Sequence, residues 1–151
     1  MQNKYSIKAM ELFKSGYNCA QAVFGAFAQE YGIDEKTAFM LSSSFGGGIG
    51  RLREVCGAAS GMVMVLGLAE GDYDKNDNNA KMEHYKKVQE LMQKFKDENG
   101  SYICRELLAL PEQSELSPVP EKRTTEYYKK RPCGELVGCA AQIVAEYLDL
   151  K

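Results

Sequence analysis

"SFGGGIGRLREVCGAASG", residues 44–61, is the stretch on which the fold reading turns. If its glycines cradled a nucleotide, they would lie between a strand and a helix, and the chain would be α/β. The templates fail. A phosphate loop needs Lys-Ser or Lys-Thr at its end, whereas Arg51-Leu52 follows Gly50. The dinucleotide fingerprint needs a third glycine three residues after the second. Gly46-x-Gly48 meets Arg51 there, and Gly48-x-Gly50 meets Arg53. The glycines are read instead as sites of unusual backbone dihedrals and close backbone approach.

Outward from this stretch the periodicity is helical nearly everywhere. A first helix is expected over Lys4–Lys14, with Tyr5, Ala9, Leu12 and Phe13 on one face. Asn18 caps a second, Cys19–Tyr31, and Asp34 a third that dissolves into the glycines. A fourth starts at Val55 or Cys56 and runs to Glu70. A long amphipathic helix follows over about Asn78–Glu98, with the stripe Met82, Tyr85, Val88, Leu91, Met92 and Phe95. Ser101 caps a short helix that breaks at Pro111. Residues 111–126, with three of the four prolines, read as the one long loop. The last helix opens at Pro132 and reaches Leu148. The expected fold is all-α, a bundle of about six to seven helices forming one domain over residues 1–151.

Charge and hydropathy narrow the function classes. Nineteen Lys and Arg against 21 Asp and Glu leave a net charge of −2, so the chain as a whole does not attract nucleic acid. "YYKKR", residues 127–131, reads as a solvated face. The longest apolar run, residues 58–69, is too short to span a bilayer, and the charged N-terminal stretch does not resemble a signal peptide. No membrane insertion and a cytoplasmic location are expected.

Five cysteines, at 19, 56, 104, 133 and 139, are an odd number at wide spacings, which does not suggest a disulfide framework. Cys19, Cys56, Cys104 and Cys133 all fall in the first turn of an expected helix, where unpaired amides and the helix dipole favour an anion. Three have basic neighbours: Arg51 and Arg53 before Cys56, Arg105 after Cys104, Lys130 and Arg131 before Cys133. Cys139, about 240° around the last helix from Cys133, should face elsewhere. Gly57 and Gly61, spaced as GxxxG, should admit another backbone, that of the segment bearing Cys19. His84, the lone histidine, reads as solvated or capping.

"NCAQAV" from Asn18, "GGGIGRLREVCGAASGMVMVLGL" from Gly46, "CRELL" from Cys104 and "CGELVGCAAQIV" from Cys133 resemble the C_GCAxxG_C_C family of redox-active proteins. The likeness runs from about Tyr17 to Tyr147. It implies four family cysteines, carried onto Cys19, Cys56, Cys104 and Cys133, and redox chemistry.

Three readings follow. In the first, two of the four cysteines cycle between dithiol and disulfide, Cys56 being the attacking thiolate that Arg51 and Arg53 activate, with a redox partner of unspecified identity. In the second, the same four hold zinc or an iron–sulfur cluster, although their spacing lacks the close pairs such sites use. In the third, the chain is a helical interaction protein, a homodimer among the options, whose cysteines are only packed.

Overall fold

The computed structural model describes residues 2–111 and 116–151. Among these the fold is all-α: α1 (Lys4–Lys14), α2 (Cys19–Phe27), α3 (Glu35–Ser42), α4 (Gly57–Glu70), α5 (Asn78–Asn99), α6 (Cys104–Leu107), α7 (Thr125–Lys130) and α8 (Cys133–Tyr147). The second helix ends as α at Phe27, and a single turn of 3-10 helix carries it on to Tyr31. Helix α7 lies inside and just beyond the expected loop. Thr124 starts it by accepting the Tyr127 amide, a cap that the proline-rich context hid. Residues 112–115 of that loop lie outside the described residues. No described helix is long and apolar enough to cross a membrane.

Helices α1, α2, α4 and α8 enclose the core, built on Phe13, Phe27, Met62, Leu66, Val137 and Val144, all fully buried. Their directions follow from which residues touch. Tyr5 at the start of α1 stacks on Phe27 at the end of α2, ring centroids 4.7 Å apart, so those two helices are antiparallel. Gly134 of α8 faces Phe13, and Gly138 faces Met10 and Ser6, so α8 is antiparallel to α1 as well. Helix α4 advances alongside α2, with Gly57 against Cys19 and Ala20, and Gly61 against Ala20 and Val23. Thus α2, α4 and α8 run parallel, and their N-termini share one end of the bundle.

Helix α5 lies across α4 and α8 and is only half covered. Leu91 and Phe95 are buried, while Met82 and Tyr85 are 54% and 55% exposed. The apolar stripe expected over the whole helix is therefore buried only in its C-terminal half. One element outside the helices matters for the site. Val55 and Ile103 form an antiparallel bridge, with the Cys56 amide donating to Tyr102 O (2.8 Å) and the Cys104 amide to Glu54 O (2.6 Å). It ties the exit of the glycine loop to the entry of α6.

A Cβ on Gly61 would sit 2.9 Å from Val23 Cβ and 3.0 Å from Ala20 O, whereas one on Gly67 meets nothing within 4 Å. Gly61→Val should cost about 1–3 kcal/mol in urea unfolding through overpacking. Gly67→Ala on the same helix should instead gain about 0.5–1 kcal/mol.

Candidate functional site

Four helix starts place four sulfurs on the wall of one cavity of about 290 Å³: Cys19, Cys56, Cys104 and Cys133. Cys19 is the first residue of α2, behind Asn18, whose side chain and that of Gln21 cap each other's backbone. Cys56 is the N-cap of α4, and Cys104 and Cys133 open α6 and α8. Cys139 is elsewhere: its thiol donates to Glu98 Oε2 (3.0 Å), and burial with that carboxylate pushes it up to about 11. His84 packs against Tyr73, ring centroids 5.5 Å apart, away from the cavity.

The glycine loop forms the rim. Gly47, Gly48, Ile49, Gly50 and Arg51 have φ between 54° and 70°, five consecutive residues in the left-handed region, and Arg53 follows at 62°. Such a turn costs roughly 1–2 kcal/mol at each residue with a Cβ and almost nothing at glycine. Gly48 is doubly required, because a Cβ there would lie 2.6 Å from Glu54 N and 2.8 Å from Cys104 Cβ. The loop amides from Ile49 to Glu54 all donate to carbonyls within residues 44–49. They are spent on the turn itself. What the loop delivers is two guanidiniums and a cysteine.

The four thiols are not equivalent. Cys19 and Cys133 are near enough for each thiol to act on the other's titration. Cys19, with Arg131, Arg123 and Arg53 nearby, outweighs burial and holds Cys133 at about 7, against an ordinary thiol near about 8.5. Cys19 in turn is pushed well above its usual range. Burial raises Cys104, although Arg53 Nη1 donates to its sulfur at 3.6 Å and partly offsets this.

Burial pushes Cys56 up to about 12, against the pull of the Ala58 and Ala59 amides. This corrects the expectation that Cys56 carries the lowered thiol. Arg51 turns away to donate to the Ser117 and Val119 carbonyls, and Arg53 goes to Cys104, so neither neighbour offsets the desolvation of Cys56, a residue only 4% exposed. The depressed thiol is Cys133.

Several wall residues escaped the sequence reading. Arg123 donates to Phe13 O (2.8 Å) and Tyr17 O (2.9 Å) and lies over the Phe13 ring, 4.2 Å from its centroid. Glu121 is shared between Arg51, at 3.9 Å, and Arg131. Pro118, Pro120 and Tyr127 complete that side. No local signal marks Arg123 or Glu121, since both lie in the proline-rich segment and reach the site only through the fold. Among the described residues, no group of three His, Cys, Asp or Glu side chains is placed to hold a metal ion.

The family described as "Putative redox-active protein (C_GCAxxG_C_C)" matches residues 17–147. No curated protein and no solved structure matches the chain.

In reduced, metal-free protein, an alkylating agent should label Cys133 first, with a rate that rises with pH to a midpoint near 7. Cys19→Ala should move that midpoint upward, since the neighbour that most favours the thiolate is gone. The linkage has a definite sign. A pKa lowered by folding contributes stability above the unfolded value, and that contribution is lost as pH falls through 7. Urea midpoints at several pH values should show this for the wild type and not for Cys133→Ala. Faster labelling of Cys56 would refute the assignment.

Proposed function

The chain belongs to this redox-active family, and on that premise we propose that it is a thiol–disulfide protein in which Cys133 attacks and Cys19 resolves. The observation that carries this reading is that Cys19 and Cys133 open α2 and α8 on the wall of one cavity and act on each other, one thiol being depressed and the other raised. The Cys133 thiolate attacks one sulfur of an oxidised partner's disulfide, forms a mixed disulfide and expels the other sulfur as thiolate. Cys19 then loses its proton and attacks Cys133 Sγ, which releases the second partner sulfur. Two electrons pass to the partner, and the two protons given up by Cys133 and Cys19 end on its thiols. Exchange of this kind is fastest when the attacking thiol's pKa lies near the ambient pH, as that of Cys133 does.

Cys56 and Cys104 take no part in this pair. Held protonated by burial, they contribute apolar wall to the cavity. The metal reading would need the four sulfurs to draw together around one ion, and zinc or an iron–sulfur cluster would have to bring them there. An interaction role is favoured by exposed apolar side chains, Met82 and Tyr85 on α5 and Met40 and Leu41 on α3. Met82→Glu should convert any dimer seen by light scattering to monomer.

Protein purified without oxygen, assayed for metal and then oxidised with diamide, tests the pairing by peptide mass spectrometry. The expected product is one disulfide, Cys19–Cys133, absent in Cys133→Ser and retained in Cys56→Ser. Bound metal, with labelling of all four cysteines that speeds up on adding a chelator, would overturn cycling in favour of the ligand reading. Four thiols that neither oxidise nor label would overturn both.

A further inference from the structure

Among the described residues, the cavity wall carries four guanidiniums, Arg51, Arg53, Arg123 and Arg131, and one carboxylate, Glu121. That is a surplus of three positive charges, or two once Cys133 is ionised, in a chain whose net charge is −2. The surplus is sheltered, since the Arg51 and Arg131 side chains are 20% and 18% exposed. Apart from Glu121, the partners that fix these arginines are uncharged. Arg51 donates to the Ser117 and Val119 carbonyls, Arg123 to those of Phe13 and Tyr17, and Arg53 to the Cys104 sulfur. Four cations gathered in a sheltered space with a single counter-charge repel one another and are costly to desolvate. An anionic occupant removes that cost.

We propose that the cavity binds the oxidised substrate itself, and that this substrate is a small dianionic disulfide, a sulfur–sulfur bond flanked by two carboxylate or sulfonate ends. The inference rests on the cycling of Cys133 and Cys19 and adds what selects their oxidant. Two negative ends match the surplus that remains when Cys133 is ionised. Guanidiniums donate to carboxylate and sulfonate oxygens in pairs of parallel hydrogen bonds. Size limits the rest: at about 290 Å³ the cavity lies at the lower edge of ligand pockets, which run from about 300 to 1,000 Å³. A compact molecule enters; a folded partner's disulfide loop does not. Cys133 Sγ bonds to one substrate sulfur and the other leaves as an anionic thiolate beside the arginines. Cys19 Sγ then bonds to Cys133 Sγ and expels the second. The protein ends as a disulfide, and the substrate as two thiols carrying the protons of Cys133 and Cys19.

The test compares dithiodiglycolate, a dianion, with bis(hydroxyethyl) disulfide, a neutral compound of similar size, each mixed with reduced full-length protein. The readout is the ratio of the two second-order rates, which cancels any change in the thiolate fraction. The expected ratio exceeds that of a free thiol by tenfold or more and collapses as salt is raised. Arg53→Gln should lower it and Glu121→Gln should raise it, each by about fivefold, the scale of one partly screened charge contact. Should Arg53→Gln fail to fold, Glu121→Gln, whose side chain is 46% exposed, and the salt series still decide. Reduction of both compounds at a ratio no higher than a free thiol's, with variants and salt without effect, overturns the substrate assignment and leaves cycling standing. Reduction of neither overturns cycling and this assignment together.

Discussion

The approach of α4 to α2 is the constraint on which the site depends. With Gly57 and Gly61 against Cys19, Ala20 and Val23, the two helices lie backbone to backbone and start at the same level. Since α8 and α2 are both antiparallel to α1, a third helix start arrives at that end. Parallel neighbours place like dipole ends together, an arrangement that needs negative charge at the shared N-terminal end. The cavity at that end carries four guanidiniums against one carboxylate, Glu121, which sharpens the need. The Cys133 thiolate is the response built into the chain, and an anionic occupant would extend it.

The same end shows how one environment drives neighbouring thiols apart. Cys133 and Cys56 line one cavity and both begin helices, yet one is depressed and the other raised by burial. A helix start alone therefore does not set a thiol's acidity. The difference lies in neighbours: Cys133 has Cys19 and three guanidiniums nearby, while Cys56 has two backbone amides in a drier place. The left-handed turn explains why the adjacent arginines do not help Cys56. Its dihedrals carry Arg51 toward residues 117–121 and Arg53 toward Cys104.

Much of the fold was legible because helix boundaries are written locally. Asn18 and Asp34 cap where their short polar side chains predict, and Gly100 ends α5 with a φ of 92°. The four cysteines at helix starts could be read from the same signals. Which thiol is acidic could not, because proximity in sequence misleads when the chain between two residues reverses handedness. Arg51 and Arg53 are near Cys56 in the chain and spent elsewhere in space, whereas Arg123, ten positions before Cys133, faces it across the cavity. The Val55–Ile103 bridge was equally hidden, since one pair of residues gives no alternating pattern to detect.

The pairing of α1 with α8 has a bearing on how the protein is made. Ser6 Oγ donates to Gly138 O at 2.8 Å, a contact spanning 132 positions, and Arg123 reaches back to Phe13 and Tyr17. Contacts of such sequence separation form late, after the entropy of closing a long loop has been overcome. Until they form, Cys133 lacks the Cys19 and guanidinium neighbours that lower its pKa. The acidity of Cys133 thus depends on the closure of α8 against α1 and Cys19, a tertiary event rather than a property of its own helix.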